Sequence, residues 1–261
     1  MSTSFVQPEP RTENFAVGTD TVELEIALGT GSVTIELVED LTEIEVVLAV
    51  GAGAWWQQGL TGVLSMLSAG GTERPDASNA VAGALSATEI TYDTRRGRLV
   101  LRAPRTAAPR GASLDAQVRA PGGARVLVRS SSAAVQVSGP ASQVDISTGS
   151  GEVRLQEARE SAEIRTGSGA VRLGELRRGG RLRSGSGDIS VDSTAGDLEL
   201  ISGSGDLRFG VAPGVRAELD LASASGKVRS ELELLESPPS ESYVHLRART
   251  GSGAVVVHPA R

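Results

Sequence analysis

Large apolar residues recur nine positions apart through the second half of the chain, at Val128, Val137, Ile146, Leu155, Ile164, Leu173, Leu182, Val191, Leu200 and Phe209. Two positions earlier runs a companion row, Val126, Val135, Val144, Val153, Ala162, Val171, Gly180, Ile189, Leu198 and Leu207. Between the two rows the residues are polar or charged, from Gln136 and Asp145 to Glu199 and Arg208, with Leu127 as the apolar exception. Alternation of this kind marks a strand with one buried face. Each nonad therefore predicts a short strand with two inward side chains, followed by a turn.

The turns carry a longer period. Gly-Ser-Gly stands at 149–151, 167–169, 185–187 and 203–205, in steps of 18. Two nine-residue half-coils would make one 18-residue coil, and coils stacked in parallel predict an all-β fold, a parallel β-helix or β-solenoid whose like side chains overlie one another at about 4.8 Å. A triangular helix with six-residue edges is a poor fit, because six positions after Val126 is Ser132 and six after Ile146 is Glu152. A flattened, two-walled section fits better. Glycine is taken to serve these corners by adopting φ > 0 at no steric cost.

The lattice extends in both directions. Leu219 and Val228, then Leu246 and Val255, keep the nine-residue step, and the intervening Pro238-Pro239 reads as a loop. Upstream, Leu24 and Ile26 are repeated by Val33 and Ile35, and Ile90 and Tyr92 by Leu99 and Leu101. A single β-solenoid domain is expected over residues 1–261, with an N-terminal arm at 1–17, an apolar insertion at 51–74 and the clearest repeats at 120–261.

That insertion departs from the repeat. From Val46 to Thr72 the chain carries no charge at all. Six glycines and the pair Gln57-Gln58 speak against a membrane span, and a short helix over about 55–67 is predicted instead, with Trp56, Leu60, Val63, Leu64 and Leu67 on one face. Such a helix either caps an open end of the solenoid or docks a partner. For docking, the interaction residues are Trp55, Trp56, Leu60, Leu64, Met66 and Leu67.

Composition removes most chemistry. There is no cysteine, and His245 and His258 are the only histidines, so disulfide frameworks, zinc clusters and His-based triads lack their material. A net charge of -6 argues against nucleic acid as the partner. The stretch from Met1 to Asn14 lacks the basic and apolar regions of a secretory signal, so the expected location is cytoplasmic, at most peripheral to the inner membrane.

Three polar constellations stand out. Asp188, Asp197 and Asp206 follow turn glycines in nine-residue steps and are weak calcium candidates, since calcium takes six to eight oxygens and each turn offers one carboxylate. An outward row of Arg154, Arg172, Arg208 and Arg229 lacks the aromatic residues that stack on bases, and Glu152, Asp188 and Asp206 would neutralise it. The variable edge at 156–160 and 175–178 is the best recognition edge of the repeat.

The copies of Gly149-Ser150-Gly151-Glu152-Val153-Arg154-Leu155, the segment Arg98 to Pro104, and the closing stretch Val244 to Val257 with a fifth Gly-Ser-Gly at 251 resemble the putative-adhesin family of β-strand-repeat proteins. That family is related to the toast-rack modules of bacterial envelope-stress proteins. The resemblance implies a right-handed parallel β-helix with no catalytic activity or active-site motif to carry over. With no convergent acid-base pair, the chain is expected to be no enzyme and to need no cofactor. The expected function is a non-catalytic scaffold or protein-interaction module. Self-association or a protein partner ranks first, and a membrane surface, through residues 51–70, second. The competing reading is a carbohydrate- or ligand-binding β-helix, adhesin-like or carbohydrate-active.

Overall fold

The computed structural model describes residues 9–18, 21–51, 83–104, 113–233 and 243–260. The expected helix over 55–67 lies outside them, and with it Trp55, Trp56, Leu60, Leu64, Met66 and Leu67. A one-turn helix over 83–87 precedes the strands of the repeat region.

In chain order the first strands are β1 (Arg11–Ala16), β2 (Glu23–Leu28), β3 (Gly31–Val38), β4 (Glu43–Gly51), β5 (Glu89–Asp93), β6 (Arg98–Arg102), β7 (Ser113–Pro121) and β8 (Arg125–Ser130). Then come β9 (Ala134–Thr148), β10 (Val153–Thr166), β11 (Val171–Leu176), β12 (Gly179–Ser184), β13 (Ile189–Thr194) and β14 (Asp197–Ser202). The chain closes with β15 (Leu207–Val211), β16 (Ala217–Ser223), β17 (Val228–Ser230), β18 (Val244–Thr250) and β19 (Val255–Pro259). The protein is thus mostly β, built on one large mixed sheet that is parallel through its middle.

Hydrogen-bonded neighbours fall into two rows. One runs β5, β6, β2, β8, the second halves of β9 and β10, then β12, β14, β18 and β16. The other runs β1, β4, β7, β3, the first halves of β9 and β10, then β11, β13, β15, β19 and β17. In the repeat region partners are separated by two nonads, as in Val153 with Val171, Val171 with Ile189, and Ile164 with Leu182. In-register parallel pairing places identical positions over one another, which is why both apolar sequence rows become continuous core. Ile146, Ile164, Leu182 and Leu200 are all fully buried. Each such side chain contributes about 1.5–3 kcal/mol by leaving water. Gly180 interrupts its row without leaving a gap, because the buried Leu176 fills the space a Cβ would enter.

The ends depart from simple succession. Arg11–Ala16, within the segment read as an N-terminal arm, forms β1 and pairs antiparallel with β4. Ile90, Tyr92, Leu99 and Leu101 do not continue the stack as successive half-coils; β5 and β6 form an antiparallel hairpin. The turn explains the reversal: the Asp93 carboxylate accepts the amides of Arg95 and Arg96, and Gly97 has φ 63°. Nor does the last pair of strands come last in space. β18 lies between β14 and β16, and β19 between β15 and β17.

Candidate functional site

The repeated corner is structural, and the reason for its glycines differs from the expectation. None of the Gly-Ser-Gly glycines has positive φ; among the described glycines positive φ falls at Gly31, Gly97, Gly123, Gly139 and Gly214. What glycine provides is close approach. A Cβ at Gly151, Gly169, Gly187, Gly205 or Gly253 would stand under 3.0 Å from a backbone carbonyl of the neighbouring corner. The residue before each corner completes it. Thr148, Thr166, Ser184, Ser202 and Thr250 accept the amide of the third corner residue through their hydroxyls, at 3.1, 3.0, 2.7, 2.9 and 3.3 Å. Two of them also donate to a neighbouring corner, Ser202 to the Gly187 carbonyl at 3.2 Å and Thr250 to the Gly205 carbonyl at 2.9 Å. This hydroxyl row is an unrecognised part of the motif, although its signal, Thr or Ser before every Gly-Ser-Gly, stands in the chain.

Asp188, Asp197 and Asp206 do not converge. Asp188 accepts the amide of Asp206 at 2.8 Å, Asp206 that of Ala254 at 2.7 Å, and Asp197 that of His245 at 2.8 Å. Each carboxylate thus latches its corner to the next strand in space. The nine-residue step puts Asp197 at the start of a strand of one row, and the other two before strands of the opposite row. Among the described residues no group of three or more acidic, His or Cys side chains could hold a metal ion.

The outward charges pair with one another. Glu25 is clasped by Arg98 and by Arg102 at 2.7 Å, Asp145 by Arg129 at 2.7 Å, Glu199 by Arg181 at 2.6 Å and Arg183 at 3.3 Å, and Asp220 by Arg247 at 2.9 Å and Arg249 at 3.0 Å. The Arg102 and Arg98 guanidiniums hold the Glu25 carboxyl below its ordinary range, and Arg129 does the same to Asp145. Burial pushes Glu199 up, but Arg183 and Arg181 prevail and its carboxyl also titrates low. These pairs cross strands of one row at intervals along it, so the face is a charge-compensated ladder.

On the opposite row Arg154 and Arg172 share Glu152, as expected, whereas Asp188 and Asp206 serve the backbone. The variable edge is likewise internally bonded: Arg159 bridges Glu39 and Glu157, Arg177 bridges Glu157 and Glu175, and Gln156 accepts the Gly139 amide. A shallow depression of about 750 Å³ lies where Arg208 and Arg229 flank Val256, beside His258. His245 points outward, 3.2 Å from Glu218.

Residues 64–258 match the family profile Toastrack DUF4097. The chain belongs to this family. A crystal structure titled "putative adhesin" from Bacteroides fragilis is 10% identical, with 96% of this chain and 97% of that chain covered and a TM-score of 0.50. A "putative cell adhesion protein" from Clostridium sporogenes is 12% identical, covers 95% and 99%, and scores 0.35. A "putative adhesin" from Parabacteroides distasonis is 13% identical, covers 96% and 97%, and scores 0.36. No curated protein matches the chain. At such identities the Bacteroides fragilis likeness is one of fold, and it agrees with a mostly β toast-rack architecture. The family is one of unknown function and brings no enzyme's site to this chain. Among the described residues no helix is long and apolar enough to cross a membrane.

Proposed function

We propose that this toast-rack chain is a β-solenoid of 18-residue coils that works as a non-catalytic scaffold or protein-interaction module, in the cytoplasm and at most peripheral to the inner membrane. The observation that supports it is the outer face. Along it Glu25, Asp145, Glu199 and Asp220 are each held by arginines of a neighbouring strand, so these charges serve to stiffen the stack. Recognition then falls to the ends and to the apolar segment at 51–70, through self-association or a protein partner ahead of a membrane surface. Small-angle scattering of the purified chain tests the solenoid. About ten strands at ~4.8 Å give a rod ~50 Å long, and a globular profile overturns the reading.

A second reading, an adhesin-like module binding a carbohydrate or other ligand, is favoured by the depression between Arg208 and Arg229. Saturable binding of an acidic glycan that is lost in Arg208→Ala would support it over the scaffold.

A further inference from the structure

The two ends of the strand rows are built differently. At the β1–β5 end the core is closed. Ala84, Leu85 and Ile90 are buried, and Phe15 packs on Tyr92 with ring centroids 5.5 Å apart. The edge strand β1 also carries an inward ion pair, because Arg11 and Glu13 lie opposite Leu48 and Val46 on the core side and bond to each other. Charges pointing inward on an edge strand prevent a further strand from adding.

Among the described residues the β16–β17 end carries no inward ion pair, and its core is only partly covered. Its inward residues are Ala217, Leu219, Leu221 and Ser223 on β16 and Val228 and Ser230 on β17. Leu219 and Leu221 are only half-buried and Val228 is 46% exposed, while Leu246 and Val255, one strand further in, are at most 1% exposed. The backbone is unfinished too. Among the described residues β16 pairs only with β18, and β17 only with β19. The Arg216 carbonyl and the Ala224 amide face β18, so by alternation the amides and carbonyls of Ala217, Leu219, Leu221 and Ser223 face the open edge.

From this asymmetry we propose that the β16–β17 end is a docking surface for a second copy of the chain, which pairs end to end about a two-fold axis. The inference rests on the solenoid reading. An axis crossing the core from one row to the other reverses strand direction and keeps inward residues inward, so β16 and β17 each meet their own copy antiparallel and both walls continue at once. The charge pattern selects a register. With Leu221 opposite Leu221 of the second copy, Asp220 faces Ala222 rather than another carboxylate, and Asp220 is already held by Arg247 and Arg249. The closed β1 end stops growth at two copies. The contact is small. A seven-residue strand by two walls is ~20 Å square, ~400 Å² per copy, at the low end for specific interfaces, so the dimer is reversible and concentration-dependent.

The test is sedimentation velocity of the full chain from low to high micromolar, with scattering at both extremes. End-to-end pairing takes the maximum dimension from ~50 to ~100 Å, which side-by-side pairing does not. Val228→Lys, at an exposed site, weakens the dimer at least tenfold with unchanged circular dichroism. In this cysteine-free chain Leu221→Cys cross-links to itself on oxidation, and Asn14→Cys on β1 does not. A monomer at every concentration overturns the proposal, as does a dimer indifferent to Val228→Lys with Leu221→Cys uncross-linked. If that monomer still scatters as a rod, the scaffold reading survives; a globular profile sinks both.

Discussion

Replacing Gly169 by alanine tests why the corners contain glycine. The Cβ would stand under 3.0 Å from the carbonyl of Gly151, which belongs to the neighbouring backbone and has no flexible end to swing away. To recover ordinary contact the two corners must separate by about 1 Å or more. The bonds that fix their spacing then lengthen: Gly167 amide to Gly149 carbonyl at 2.9 Å, Ser168 amide to the same carbonyl at 3.1 Å, and Gly169 amide to the Thr166 hydroxyl at 3.0 Å. Losing two or three such bonds at ~0.5–1.5 kcal/mol each, with ~1–3 kcal/mol of packing strain, gives a cost of about 2–7 kcal/mol. For a domain of this size that lowers Tm by about 5–25 °C. Differential scanning calorimetry measures it directly.

Two controls separate close approach from backbone conformation. Gly29→Ala, where a Cβ meets nothing within 4 Å and φ is not positive, leaves Tm unchanged within about 2 °C. Asparagine tolerates positive φ better than alanine, so it outperforms alanine at Gly123, where φ is 76° and the space is open. At Gly169 it does no better than alanine. A Gly169→Ala protein within about 0.5 kcal/mol of wild type, or rescue of that site by asparagine, would refute the reasoning.

Thr166→Val keeps the side chain's shape and leaves the Gly169 amide without its acceptor, so chemical denaturation registers a loss of about 1–3 kcal/mol, while Thr166→Ser stays within about 0.5 kcal/mol. Glu25, Asp145 and Glu199 titrate below their ordinary values, so their contribution is fully present above the unfolded pKa near 4 and is lost as pH falls through the lower folded values. Tm is therefore flat from neutral pH down to about 5 and falls below about 4, and Asp145→Asn makes that acid limb shallower. Asp206→Ala removes the acceptor of the Ala254 amide and costs about 1 kcal/mol, whereas Asp206→Asn, which keeps an oxygen there, costs less. With those carboxylates engaged by the backbone, millimolar calcium and chelator leave the Tm of wild type where it was. A calcium-dependent rise would restore the metal reading.

Strand positions and inward faces could be read from the chain because they follow from a period-two pattern repeated with every nonad. Val153, Val171 and Ile189 had to face one way whatever their partners were, and equal spacing made in-register pairing the natural outcome. The hydroxyl row was legible as well: Thr166 and Ser184 precede their corners as regularly as the glycines do, but the role of an acceptor is visible only beside the amide it serves. Other features depend on what meets across the fold. Leu219 pairs with Leu246, and Leu246 on its other side with Leu198, which precedes both in the chain, so the order of strands in space is not their order in sequence. Nothing local encodes that order, since any nonad with two apolar residues can stack on any other. The need for glycine at Gly169 has the same origin, a carbonyl contributed by Gly151 in the preceding corner. Pattern along the chain determined which residues face inward; which strand lies beside which was decided by long-range packing alone.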